Sequence, residues 1–249
     1  MYFPPPDFRT AAEPELFTLV SDRIAEMTED DALAALDNRF ATPRVCQKIA
    51  QSSRLTSFYS VRLRLVAHKH TPQAYAAKFV HYLYWVDLVR LSVEVTVPAP
   101  VRRAIDNQLL ARVDELTAGE KIASARRCSA ALIKVFLFDP DAKVFAALLI
   151  NQRLREEELL YYASSPRAQA SHLALLAADP KWSFRYTVRK ALAANPITPR
   201  SAAAAQLRHL RKEDLRKIHS HPDTSVYVRR CIERLSAHVS SSPRQKRID

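Results

Sequence analysis

Residues 187–199 read Thr-Val-Arg-Lys-Ala-Leu-Ala-Ala-Asn-Pro-Ile-Thr-Pro, and residues 60–72 read Ser-Val-Arg-Leu-Arg-Leu-Val-Ala-His-Lys-His-Thr-Pro. At an offset of 127, Val188 falls on Val61, Arg189 on Arg62, Leu192 on Leu65, Ala194 on Ala67 and Thr198-Pro199 on Thr71-Pro72. The same offset carries Leu83 onto Leu210, Asp87-Leu88 onto Asp214-Leu215, Val101-Arg102-Arg103 onto Val228-Arg229-Arg230, and Ile105 onto Ile232. A register held without a gap over about 45 residues marks an internal repeat. Within it, apolar residues recur at three and four, as in Val188, Ala191, Leu192 and Val228, Cys231, Ile232, Leu235, which is the spacing of one helical face.

Proline divides the repeat further. Pro98, Pro140, Pro180 and Pro222 are spaced 42, 40 and 42, and three of them follow Asp139, Asp179 or His221. A proline has no N–H and its ring clashes with the preceding turn, so it ends one helix and can start the next. Asp, Ser or Thr before it can cap the new helix. This spacing predicts about five helical units of about 42 residues, starting near 56, 98, 140, 180 and 222. Such units bury their apolar faces by stacking, so the expected fold is an all-α, right-handed α-solenoid with a concave inner surface.

The stretch Asp179-Pro180, Val188-Arg189, Leu192-Ala193, Asn195-Pro196 and Thr198-Pro199 resembles the repeats of bacterial HEAT-like and leucine-rich-repeat-variant proteins. The likeness is good over 179–199, fair over 60–72 and 220–235, and faint over 101–165. It implies a solenoid and, since fold does not fix function, no activity. Some variant-repeat proteins carry a cysteine cluster that holds iron and sulfur; no such cluster is present here, so no cofactor is expected.

Composition agrees with helices. The chain has 249 residues and one glycine, Gly119, where average usage would give roughly 17. Hairpins, phosphate-cradling loops and nucleophile elbows need glycine, so β-rich folds and Rossmann, P-loop or G-x-S-x-G sites are excluded. Cys46, Cys128 and Cys231 form no C-x-x-C pair and read as packed thiols in a reducing cytoplasm. No signal peptide or long apolar run is seen, so a cytoplasmic protein is expected. Residues 1–15 read as an extended proline and aromatic arm, 16–55 as an acidic helical cap, 56–239 as the repeat array and 240–249 as a basic flexible tail.

Charge is unevenly spread. The net charge is +12, yet residues 1–40 hold three basic and nine acidic side chains while 181–249 hold 16 and 5. A strongly basic rear favours anionic partners. Two clusters are candidate sites. Arg62, Arg102, Arg189 and Arg229 occupy equivalent repeat positions beside Arg103, Lys190 and Arg230. In a solenoid they form a ridge that either contacts phosphates or carboxylates, or pairs with acids of the adjacent unit. Arg200, Arg208, Arg211, Lys212, Arg216 and Lys217 form the second cluster. There Arg208, Lys212 and Arg216 are expected to share one helical face, as an anion site or a solvated surface.

Other residue sets read blandly beside a functional alternative. Tyr75, Phe79, Tyr82, Tyr84 and Trp85 are core packing or a base-stacking platform. His68/His70 and His219/His221 are turn residues, or loop-borne metal ligands. Asp87 and Asp214 suggest caps or inter-unit pairs, and Glu156-Glu157-Glu158 an exposed acidic turn. HEAT-like DNA glycosylases resemble this architecture loosely, and Trp85 with Asp87, or Trp182, would imitate their tryptophan and acid. The expected function is a non-enzymatic adaptor whose basic C-terminal surface binds an acidic protein segment. The alternative is sequence-nonspecific RNA or DNA binding, and the third reading is the glycosylase.

Overall fold

The structure, a computed structural model, describes residues 7–241, with side chains to 237. Sixteen α-helices and no strand are found among the described residues. No described helix is long and apolar enough to cross a membrane. Cys46, Cys128 and Cys231 are all free thiols, the first two buried. The chain forms two compact units: residues up to Leu116 with Arg127–Leu132, and Thr117–Arg126 with residues from Ile133 onward.

The first unit holds α1 (Glu13–Arg23), α2 (Glu29–Asp37), α3 (Pro43–Gln51), α4 (Tyr59–Ala67), α5 (Gln73–Val80), α6 (Trp85–Ser92) and α7 (Ala99–Arg112). After α8 (Ala118–Ala125) and α9 (Ala130–Phe136) come α10 (Ala142–Leu149), α11 (Glu156–Ala163), α12 (Ala170–Ala178) and α13 (Tyr186–Ala194). The series ends with α14 (Arg200–Leu207), α15 (Lys212–Ser220) and α16 (Val226–Ser241). Adding 127 to the first residue of α2, α3, α4, α5, α6 or α7 gives the first residue of α11, α12, α13, α14, α15 or α16. The duplication therefore covers six helices in exact register, with α1 and α10 two residues off it, about twice the stretch that the residue identities reveal. Packing is duplicated too. In the first unit α1 meets α3, α2 meets α4, α4 and α7 meet α5, and α6 meets α7. In the second, α10 meets α12, α11 meets α13, α13 and α16 meet α14, and α15 meets α16.

Individual hydrogen bonds repeat at the same offset. Tyr59 Oη donates to Asp87 Oδ2 at 2.5 Å, and Tyr186 Oη to Asp214 Oδ2 at 2.5 Å. Each tyrosine oxygen also accepts a backbone N–H at 3.1 Å, from Tyr84 and from Arg211. Ser60 donates to Glu29, as Thr187 does to Glu156. The N-terminus of α2 is closed by Asp31 accepting from Thr28 N–H, and that of α11 by Glu158 accepting from Arg155 N–H. Glu156-Glu157-Glu158 is thus the first turn of a helix, where acids favour the dipole, rather than an exposed turn.

No described residue has a positive φ, and Gly119 lies in α8 with open space where a Cβ would stand. Left-handed glycine caps are therefore absent among the described residues. Eight of the described helices end on a C-cap still in right-handed helical conformation, among them Ile24, Val93 and Arg208, while others end on a polar residue in extended conformation that accepts the N–H two residues on. Asn38 does this for Phe40, His68 for His70, Asp179 for Lys181 and Asn195 for Ile197. The asparagines also reach back one helical hairpin: Asn38 Nδ2 donates to Phe8 and Ala11 carbonyls, and Asn195 Nδ2 to those of Ala163 and Ser165. Asp179 is consequently a cap of the helix it ends, and α13 starts only at Tyr186, so the expectation that Asp-Pro opens the next helix is corrected here.

The ends also differ from expectation. Residues 7–11 form a turn with Phe8 buried, and α1 already starts at Glu13, so the arm is not extended there. Most of the arm's prolines, and residues 242–249 of the expected tail, lie outside the described residues.

Two outcomes test this capping. Asn195→Ala leaves the Ala163 carbonyl and the Ile197 N–H unpaired at a buried site, and a loss of about 2 kcal/mol is expected in urea unfolding followed by CD. His68, the equivalent of Asn195, has its pKa lowered to about 4, chiefly by burial, from 6.5. The unfolded chain takes the proton first, so this contribution is complete above pH 6.5 and is lost as the pH falls towards about 4. His68→Asn should fold and show a smaller drop in urea midpoint across that window.

Candidate partner-binding groove

The ridge arginines are held by their own chain. Arg62 donates from Nε to the Thr56 carbonyl and from Nη2 to that of Ser57 at 2.8 Å; Arg189 Nε donates to the Ser183 carbonyl at 2.5 Å. Arg229 Nη2 donates to the carbonyls of His221 and Pro222 at 2.8 and 2.9 Å. Arg62 and Arg189 also cover the rings of Tyr82 and Phe184. These guanidinium groups close the loop before each helix, a partner that neither alternative from the sequence foresaw. Lys190 pairs with Asp214 at 2.7 Å, which raises the pKa of the lysine and lowers that of the acid. Arg102 is half-buried; Arg103 and Arg230 are exposed.

The second cluster is different. Helix α14 ends at Leu207, so Arg208 is its C-cap and Lys212 starts α15; they do not share a helical face as the sequence spacing suggests. Tertiary packing nevertheless brings Arg208, Lys212 and Arg216 to one place. They line a groove of about 900 Å³ in the second unit, with Leu207, Leu210, Leu215, Ile232 and Leu235 as its apolar surface. The three cations are exposed, and among the described residues none of them carries an ion pair. Leu215 and Leu235 are only partly buried against the core beneath. His219 also lines the groove, its Nε2 3.0 Å from Glu233 Oε1. Arg211 lies over the Tyr186 ring at 5.2 Å; Arg200 and Lys217 are exposed outside the groove lining.

The first unit provides a control for this groove. There the positions equivalent to Lys212, Arg216, His219 and Ser236 are Trp85, Val89, Ser92 and Leu109, all buried. Residues Arg127–Leu132 belong to that unit, and Ser129 Oγ donates to Asp106 Oδ1 at 2.7 Å, where Asp106 is the equivalent of Glu233. Cys128 and Leu132 are fully buried. Arg208's equivalent, His81, is exposed, but most of the face is buried and apolar in the first copy and open and cationic in the second.

The remaining candidates are absorbed by structure. Phe79 and Trp85 are core residues, Tyr75 is half-buried, and Tyr82 and Tyr84 are exposed, so no continuous aromatic platform exists. Trp182 is buried, with Nε1 donating to the Leu149 carbonyl at 3.0 Å. Asp87 accepts from Tyr59 and pairs with Arg90 at 3.2 Å. Neither tryptophan presents an open face beside a carboxylate for an extruded base. His68 and His70 cap a turn, and no group of three or more metal-ligating side chains occurs among the described residues. No family model, curated protein or solved structure matches the chain.

The two kinds of cation should separate in unfolding experiments. Arg189→Ala removes a bond to a loop carbonyl and should cost about 1 kcal/mol of stability. Arg216→Ala, at an exposed position, should change it by less than about 0.5 kcal/mol.

Proposed function

We propose that this chain is a binding protein of the HEAT-like, right-handed α-solenoid kind, and that its C-terminal groove takes an acidic protein segment. The observation that carries the reading is the groove itself: leucine and isoleucine beneath, Arg208, Lys212 and Arg216 around them, and one acid in the lining, Glu233, which is set against His219 and not against those three. An occupant that matches both features has an apolar stripe and carboxylates beside it, as an acidic amphipathic helix does. Charge complementarity then sets specificity and speeds encounter.

The start points of α1, α4, α7, α10, α13 and α16, at 13, 59, 99, 142, 186 and 226, support units of three helices with the spacing of HEAT-like arrays. Nucleic acid is the second reading because the C-terminal charge favours it. The groove's lining speaks against it: no tyrosine, phenylalanine or tryptophan is there for bases to stack on.

The test uses fluorescence anisotropy with a labelled helical peptide of repeated Glu-Glu-Leu-Leu and a labelled single-stranded oligouridine. The peptide should bind the full chain, and Lys212→Glu with Arg216→Glu should weaken it by about tenfold or more while the helical CD signal stays intact. Unchanged peptide binding in that double variant would refute the groove. Tighter binding of oligouridine than of peptide, falling steeply with salt, would replace this reading with the nucleic-acid one.

A further inference from the structure

From the internal duplication we infer that the occupant of the C-terminal groove is the acidic N-terminal end of a second copy of this chain, so that molecules associate head to tail. This rests on the groove being an acidic-segment site, and adds which segment fills it.

Among the described residues, each end of the duplicated block lacks a neighbour that its equivalent has. At the C-terminal end, the first copy's version of the groove is buried and meets Arg127–Leu132, the stretch of chain that precedes the second copy's α10. The first block is therefore covered by the lead-in to another block. The open groove is the equivalent face, and no described residue covers it in that way. At the N-terminal end, α10 packs on both α8 and α12 and buries Val144, Phe145, Ala147, Leu148 and Leu149. Its equivalent α1 packs on α3 and buries Leu16 and Val20.

The residues that differ between the copies are charged in opposite senses. In the groove, Trp85 and Val89 of the first copy become Lys212 and Arg216. On α1, the equivalent of buried Leu149 is exposed Asp22, and Glu13, Glu15 and Glu26 are exposed around it. Phe17, Leu19 and Ile24 of the same segment are half-buried and supply the apolar part. One end thus offers carboxylates with an apolar stripe, the other cations around an apolar hollow. The contact is heterologous, since two different surfaces meet.

Sedimentation velocity on the full chain tests this. The weight-average mass should rise above the 28.3 kDa of one chain as concentration increases at about 0.05 M salt, and fall back towards it at about 0.5 M. Lys212→Glu with Arg216→Glu should remain a single chain, as should Asp22→Lys with Glu26→Lys, each checked by CD. Mixing the two variants pairs an acidic groove with a basic N-terminal end and should restore association. A wild-type chain that stays monomeric over the whole concentration range, while the Glu-Glu-Leu-Leu peptide still binds, overturns head-to-tail association and leaves the groove standing. If the peptide fails as well, both readings fall. Association that survives both charge reversals places the contact elsewhere and overturns the inference.

Discussion

A helix that ends without a left-handed residue needs another way to satisfy its last backbone groups and to turn the chain. Here a polar side chain provides it. Asn38, His68, Asp179 and Asn195 leave the helix in extended conformation, and each accepts the N–H two residues ahead. The asparagines have an amide left over, and it bonds carbonyls some thirty residues earlier, in the turn before α1 for Asn38 and at the end of α11 for Asn195. One side chain therefore sets the turn and the spacing to the preceding hairpin at once. Residue types with no second donor, such as Asp179, set only the turn. A single glycine among 249 residues is compatible with this many helix ends because some close on asparagine, aspartate or histidine and others on a residue that keeps right-handed helical angles.

The second recurring device is the tyrosine that joins the start of one helix to a carboxylate two helices on. Tyr59 and Tyr186 each bond an aspartate and also receive an N–H from the residue that precedes α6 or α15. Around these fixed points the two cores are filled differently. Ala35, Val45 and Leu55 of the first copy correspond to Tyr162, His172 and Trp182 of the second. Tyr162 and His172 are 2.8 Å apart at Oη and Nδ1, and the imidazole stacks on Phe145. The duplicated block tolerates this exchange of volume because polar contacts at helix ends, rather than core identities, set where each helix lies.

This division explains what could be read from the sequence. The repeat was legible over 60–105 and 187–232, where Val-Arg, Asp-Leu and Thr-Pro pairs recur in letters. It was invisible before residue 56, because Thr18 against Phe145 or Val45 against His172 share a place but no chemistry. Asp87 and Asp214 stood out as equivalents, yet a bond to a tyrosine 28 residues away has no local signature. The basic cluster was legible as charge. Its arrangement was not, since Arg208, Lys212 and Arg216 come together through the packing of α14, α15 and α16 and not through one helix's periodicity. The ridge arginines were also found at equivalent positions, but their partners are backbone carbonyls, which no residue pattern displays.

Coincidence of six helix starts at one constant offset has a consequence for the length of the molecule. If the chain is cut at any point inside the block and rejoined 127 residues further on, the helical phase is preserved across the splice. Joining Ala67 directly to Asn195 would leave the α4 segment followed by an asparagine turn, where a histidine turn now stands. Insertion of another block at the same point is equally in phase. Shortening or growth by whole blocks thus requires no new turn chemistry.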